Sequence, residues 1–315
     1  MKETIINGKA LSQMTLGTVQ LGLNYGIANN SGQPDINKSN AMLSCALQNG
    51  ITSLDTARGY GTSEDVLGKF FKEKKDYDLP FLTSKFIIGL PETATQKEVE
   101  AAIFNSVETS LDKLGVNKLD CLMHHRANEM TVYGDIVQKT LNKLIAENYI
   151  GIAGVSVYGP DDLDSMLNFD IYQAVQIPMS IFDQKLIKKG YLSLLKERGI
   201  TVFVRSVFLQ GLFFLNPSAI TDPILVEYAK PYIKKLHELC KKSGMSIAEF
   251  AISFIRDIPG VTSLVLDADT EEQILQNIDY MKAPKLESKL REEVYEAFCD
   301  VNIPKIMEVL SRAKS

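Results

Sequence analysis

Tryptophan is absent from this chain of 315 residues, histidine occurs three times and cysteine four times. The cysteines (Cys45, Cys121, Cys240 and Cys299) lie far apart, and no Cys-x-x-Cys pair occurs. That spacing excludes a disulfide framework and a zinc ribbon, and it predicts reduced thiols of a cytoplasmic protein. No apolar run reaches the ~20 residues of a transmembrane helix. Residues 1–9 lack the apolar core of about 7–15 residues that marks a signal peptide. Charge of one sign is also missing. Lys and Arg number 34 against 39 Asp and Glu, a net −5 without long runs, which argues against binding of nucleic acid or an anionic membrane. Neither Gly-x-Gly-x-x-Gly nor Gly-x-x-x-x-Gly-Lys-[Ser/Thr] occurs, so neither a dinucleotide-type glycine turn nor a P-loop is encoded.

What is present is ordinary globular material, 45% hydrophobic and 23% charged, arranged in a regular alternation. Short apolar runs at 13–16, 53–55, 81–85, 120–124, 151–155, 174–177, 202–204 and 263–266 read as strands. Between them, 39–48, 97–114, 136–147, 160–167 and 188–198 carry apolar residues at helical intervals, as in Val99, Ile103, Val107, Leu111 and Leu114. After residue 284, segments 287–298 and 304–312 are amphipathic. Eight strands alternating with helices predict a parallel sheet. The missing glycine turn and the even spacing favour an α/β fold closed as a (β/α)8 TIM barrel over an open sheet. Length alone would suggest two domains, but one such barrel takes roughly 250 residues or more. With no linker-like stretch in the chain, 1–315 is predicted to be a single domain.

In a barrel of this kind the chemistry lies where the strands end. Here the second predicted strand ends at Asp55, with Tyr60 in the following loop. The third ends at Lys85 and the fourth at His124-His125-Arg126. The intervals from 55 to 85 and from 85 to 125 each match one βα unit, so these side chains converge on one rim. Singly, each has a plainer reading. Asp55 could be a turn former and Tyr60 a loop aromatic, whereas Lys85 in an apolar strand demands a partner. Adjacent histidines in a strand face opposite ways and cannot share one metal ion, so no metal is predicted. His237 falls on a predicted surface helix and has no assigned role. Together the group suggests acid–base chemistry. A lysine beside a phenol favours the phenolate and lowers its pKa, and an imidazole can hold a carbonyl oxygen.

These residues stand in the string Asp55-Thr56-Ala57-x-x-Tyr60-Gly61-x-Ser63-Glu64-x-x-Leu67-Gly68, which resembles the aldo-keto reductase family. Further similarity runs along nearly the whole chain. It includes Leu16-Gly17-Thr18 with Gly22, Ser84-Lys85, Leu111-Asp112-x-Leu114-Gly115 leading to Asp120, Gly154-Val155-Ser156, Val175-Gln176, and Arg205-Ser206 with Gly211. The resemblance implies a catalytic tetrad of Asp55, Tyr60, Lys85 and His125; His125 is preferred to His124 because it stands five residues after Asp120. It also implies NAD(P)H as cofactor. Ser156 and Gln176 would contact the nicotinamide carboxamide, with Arg205 where an aromatic usually stacks and Ser206 near the phosphates. Asp269, Gln273, Gln276 and Asn277 would lie at the adenosine end, and Thr18 and Gln20 at the rim of the first strand.

Three departures from the family pattern bear on function. Val157 replaces an asparagine that usually contacts the carboxamide. Arg205 replaces the stacking tyrosine, and a planar guanidinium can also stack. Asp267 and Asp269 occupy the loop where members usually hold a 2′-phosphate with a cation, which favours NADH although the family commonly uses NADPH. The implied activity is reduction of a small-molecule aldehyde or ketone, polar or sugar-like, because Arg58, Arg126, Asn128 and Arg205 would give the site a cationic rim. Pairing of Arg58 and Arg126 with Glu64 and Glu129 is the plainer alternative. Two other functions remain compatible with the residues: other acid–base chemistry on a sugar, and a non-catalytic barrel that binds a dinucleotide as a regulatory subunit.

Overall fold

The computed structural model describes residues 1–25, 32–74 and 77–312. Its strands are β1 (Glu3–Ile6), β2 (Lys9–Ser12), β3 (Met14–Gly17), β4 (Ser53–Asp55), β5 (Phe81–Phe86), β6 (Leu119–His124), β7 (Ile150–Ser156), β8 (Tyr172–Pro178), β9 (Thr201–Arg205) and β10 (Ser263–Leu266). Strands β3 to β10 pair in sequence order and in parallel, and β10 returns to β3 to close the barrel. The predicted (β/α)8 architecture is the observed one.

Closure follows from the sequence pattern. The outer faces of the strands and the inner faces of the helices form one continuous apolar shell. A smaller cluster of Leu11, Phe81, Cys121, Met123, Ile152, Ala174, Phe203 and Val265 fills the barrel interior. Each of the Leu, Phe, Met, Ile and Val side chains stabilises the fold by about 1.5–3 kcal/mol on burial. Helix ends follow local rules. Thr95 and Glu98 form a reciprocal capping box at the start of Gln96–Leu114, and Gly115 closes that helix in the left-handed conformation. The helix predicted over 188–198 is instead two, Lys185–Lys188 and Tyr191–Glu197. Gly190, at φ 76°, breaks the helical path between them.

The antiparallel hairpin β1–β2 was not among the predicted strands, although its Asn7-Gly8 turn is a hairpin signal. It covers the N-terminal end of the barrel. Leu11 enters the interior cluster, Lys9 pairs with Asp120 at 2.7 Å, and Asn7 donates to the Gly151 carbonyl. Just above it lies a layer of hydroxyls. Thr15 Oγ1 is 2.7 Å from both Ser53 Oγ and Ser263 Oγ, Ser12 Oγ accepts from the Thr52 N–H, and Ser263 Oγ donates to the Ser12 carbonyl. These groups are buried, neutral and mutually satisfied.

Candidate active site

At the opposite end, β4 and β5 carry Asp55 and Lys85 into the barrel mouth. Lys85 is fully buried, which a lysine tolerates only with its charge paired and its donors used. All three N–H directions of the ammonium have acceptors: Asp55 Oδ2 at 2.6 Å, the Thr56 carbonyl at 3.1 Å and Tyr60 Oη at 3.4 Å. Asp55 Oδ1 accepts from Gln176 Nε2 at 2.9 Å, so both carboxylate oxygens are held. The Tyr60 loop is pinned from behind. A side chain at Gly22 would collide with the Tyr60 carbonyl at 1.8 Å, so only glycine permits this approach. The buried Glu64 accepts from Ser84 Oγ at 2.7 Å and pairs with Arg58.

The electrostatics correct one expectation. The Tyr60 phenol is pushed well above its ordinary value, chiefly by burial and then by Asp55 and Asp267. Burial and these carboxylates outweigh the adjacent Lys85 ammonium, which is itself paired with Asp55. Tyr60 therefore rests as a protonated phenol. The His125 imidazole meets the Tyr60 ring edge-on at 5.6 Å. Burial, then Lys85, Arg205 and Arg126, hold its pKa down at about 4, so it is neutral near pH 7. His124 faces the other way, fully buried, with Nε2 3.2 Å from Tyr172 Oη. Of the two adjacent histidines, His125 is the one that meets Tyr60. His237 ties its helix to the loop after β9, with Nε2 3.1 Å from the Phe213 carbonyl.

Beside the tetrad opens a cleft of about 440 Å³. Of the residues predicted for a cofactor, Gln20, Gln176, Arg205, Ser206, Asp269, Gln273, Gln276 and Asn277 line it, together with Asp55 and Tyr60. Two do not. Thr18 is fully buried and its hydroxyl is spent within the fold, donating to the Asp55 carbonyl and accepting from Ser63. Ser156 is buried at the end of β7 opposite Gln176, outside the lining. Arg205 stacks on the Tyr158 ring at 4.9 Å and donates to the Val157 carbonyl at 3.1 Å, bridging the ends of β7 and β9. Gln176 has its amide nitrogen committed to Asp55 rather than free. A larger recess of about 780 Å³ lies under the hairpin at the other end, remote from the tetrad.

Three features of the cleft were missed in the sequence. Asp267 is exposed in the segment just after β10, but its carboxylate is not turned away from the barrel. It turns inward over Gly17, where an added Cβ would fall 1.9 Å from its Oδ1. The signal was the glycine, which leaves room above the strand next to β10. The loop after β9 holds Ser206, Leu209 and Gln210 at φ 65°, 46° and 57°, a left-handed run that strains non-glycine residues. Propensity gave no warning of it. Phe208 and Phe214 add apolar walls. The rim also differs from expectation. Arg58 is paired with Glu64, and Glu129 is turned to the Ile88 and Gly89 N–H groups, at 2.9 and 3.0 Å. Arg126 is exposed and has no ion-pair partner among the described residues.

The family model described as Aldo/keto reductase family matches residues 13–297. The chain belongs to the aldo/keto reductase family. It is 25% identical over 276 residues to a probable pyridoxal reductase 2 of Schizosaccharomyces pombe, covering 80% of each chain. It is 22% identical over 304 residues to the L-glyceraldehyde 3-phosphate reductase of Escherichia coli K12, covering 85% of this chain and 84% of that one. Among solved structures, the glycerol dehydrogenase AKR11B4 of Gluconobacter oxydans superposes with a TM-score of 0.75 at 22% identity, covering 95% and 96% of the two chains. As a member of the aldo/keto reductase family, the protein is an oxidoreductase acting on carbonyl or alcohol groups with a nicotinamide cofactor. The cleft fits such a group. Gln20 Oε1 and Gln210 Oε1 are buried acceptors without partners among the described residues, suited to ribose hydroxyls or a carboxamide N–H.

Proposed function

We propose that this member of the aldo/keto reductase family reduces a small anionic aldehyde or ketone, with Tyr60 as proton donor and NADH as the preferred cofactor. The observation that carries the reading is the position of Lys85, held between Asp55 and Tyr60 Oη with the neutral His125 against the same ring. When bound, the nicotinamide supplies the hydride. Everything else falls to the chain. His125 orients the carbonyl oxygen by donating a hydrogen bond as a neutral imidazole. Tyr60 gives that oxygen its proton as negative charge develops, and the adjacent Lys85 ammonium stabilises the phenolate left behind. Asp55, fixed by Gln176, keeps Lys85 in place. Gln20, Gln176, Arg205, Ser206, Asp269, Gln273, Gln276 and Asn277 would hold the cofactor; Ser156, buried beside Gln176, would act through that strand end.

Anionic substrate is favoured because Arg126 and Arg205 both lie close enough to depress the His125 pKa. A carboxylate or phosphate on the substrate would meet them as its carbonyl meets His125. The relative named L-glyceraldehyde 3-phosphate reductase is consistent with such a substrate. For the cofactor, the cleft lining carries the acids Asp55, Asp267 and Asp269 against the single cation Arg205 among the described residues. Neither Lys nor Arg lies between Leu266 and Asn277 to meet a 2′-phosphate. The test is a panel of phosphorylated, carboxylated and apolar aldehydes with both cofactors, alongside NADH and NADPH fluorescence titrations. Anionic compounds with NADH should give the highest kcat/KM. Apolar aldehydes winning by about tenfold, or NADPH binding about tenfold tighter at low salt, would overturn the substrate or cofactor assignment respectively.

A further inference from the structure

Glu64 is a buried acid that no step of the proposed reduction uses. It stands in the first turn of the helix Ser63–Glu73, where the helix dipole favours a negative charge. Neighbouring residues on a strand face opposite ways, so where Lys85 points into the barrel mouth, Ser84 points out through the wall. There the Ser84 hydroxyl donates to Glu64 Oε1 at 2.7 Å, and the Arg58 guanidinium donates to Oε2. One acid thus ties the strand that carries Lys85 to the loop that carries Tyr60. The cleft is lined by neither Glu64 nor Arg58, so this pair lies behind the site and not in it.

The stretch held in this way reaches the whole catalytic group. The Arg58 N–H donates to the Lys85 carbonyl at 3.0 Å. Gly59 lies against the His125 ring, where an added Cβ would fall 3.4 Å from Cε1. Tyr60 Oη is 3.4 Å from Lys85 Nζ, at the long end of a hydrogen bond, so a small movement of the loop would break the contact. Tyr60 also stands between two glycines, Gly59 and Gly61, the second at φ 57°, and local sterics restrain such a backbone little. A side-chain anchor supplies the restraint, and a guanidinium on a carboxylate is about twice as strong as a neutral hydrogen bond. We infer that Glu64 is a positioning residue for catalysis: through Arg58 and Ser84 it fixes Tyr60 against Lys85 and His125, and so sets the rate of proton transfer. The inference rests on the reading of Tyr60 as proton donor. The same helix offers a control in Asp65, which pairs with Lys113 at 2.6 Å and joins Ser63–Glu73 to the helix Gln96–Leu114.

The first experiment needs no substrate. The chain holds three histidines, so their ring signals can be followed by NMR in the whole protein, with His125→Gln identifying one of them. Glu64→Gln should shift or broaden the His125 signal and leave those of His124 and His237 in place, and Asp65→Asn should move none. The second is kinetic, with succinic semialdehyde as the anionic aldehyde and NADH. Glu64→Gln should lower kcat by about tenfold, within the ~10² that a 1 Å misplacement can cost, and keep the NADH Kd within about twofold. Its solvent deuterium isotope effect on kcat should rise, whereas a partly unfolded preparation would lose active sites and keep the isotope effect. Arg58→Met/Glu64→Gln, which leaves no unpaired charge behind, should show the same loss. In a Tyr60→Phe chain Glu64→Gln should cost nothing further, because the two act as one unit. An unmoved His125 signal, or full kcat in Glu64→Gln beside a large loss in Tyr60→Phe, would overturn the inference alone. So would a kcat loss that Asp65→Asn reproduces with an unchanged isotope effect. Full kcat in Tyr60→Phe would overturn the proton-donor reading and this inference with it.

Discussion

The two ends of this barrel bury polar groups by opposite means. Under the hairpin, Ser12, Thr15, Ser53 and Ser263 form a neutral lattice of hydroxyls in which each group finds a partner. At the mouth, Asp55, Lys85, Asp267 and Arg205 bring charge together, and Tyr60 and His125 are held protonated and neutral, respectively, against that field. The strands are the same at both ends, so the backbone does not set the difference. At the first end the hydroxyls are neutral and mutually satisfied. At the second, ion pairing, a carboxylate without a cation and a strained loop are tolerated, which is the pattern expected where binding and catalysis occur.

The comparison breaks most severely if the charged end is altered. Lys85→Met leaves Asp55 buried without its cation, and breaking such a pair costs about 3–5 kcal/mol of stability. Activity should fall together with Tm, and the kcat loss should not add to that of Tyr60→Phe, because the two act as one unit. Additive losses would place Lys85 in a different step.

Acid sharpens the contrast at the adjacent histidines. Burial holds His124 at about 3, so between its ordinary 6.5 and that value the unfolded chain binds the extra proton. Stability should therefore be full above about pH 6.5 and decline as pH falls, by up to about 1.4 kcal/mol per pH unit from this group. His124→Gln should flatten a urea-unfolding profile measured between pH 4 and 7. An unchanged slope would mean that other groups govern the acid limb.

Smaller effects separate the two ends. Ser53→Ala leaves Thr15 with a lost partner and should cost about 1–3 kcal/mol in chemical denaturation, with kcat and KM unchanged. Arg126→Ala should do the reverse, raising KM for an anionic aldehyde by about tenfold, equivalent to about 1.4 kcal/mol, with Tm and the neutral analogue unaffected. A kinetic effect of Ser53→Ala would show that the hydroxyl layer is coupled to the site.

The alternation of apolar runs and helices made the barrel legible in the sequence, and the spacing of Asp55, Lys85 and His125 by one βα unit each made their meeting around Tyr60 legible. Both are periodic properties of a linear string. What escaped were facts of the third dimension. Thr18 read as a rim residue because its place in the chain is right, but its hydroxyl is consumed by Asp55 and Ser63. That the Asp267 carboxylate lies over Gly17 was not readable either, because the two residues are some 250 apart in the chain. The expectation that Lys85 loosens the Tyr60 proton left out burial, the largest influence on the phenol, with Asp55 and Asp267 next. The hairpin β1–β2, in contrast, carried a readable Asn-Gly turn.

The central claim is that the cleft holds the cofactor while Tyr60 supplies the proton. Tyr60→Phe separates these directly, because it removes the hydroxyl and leaves the ring that packs on His125. With an anionic aldehyde and NADH, turnover should fall by about 10²–10⁴ while the NADH Kd, read by nucleotide fluorescence in a chain without tryptophan, stays within about twofold. Unchanged kcat in Tyr60→Phe would contradict the account.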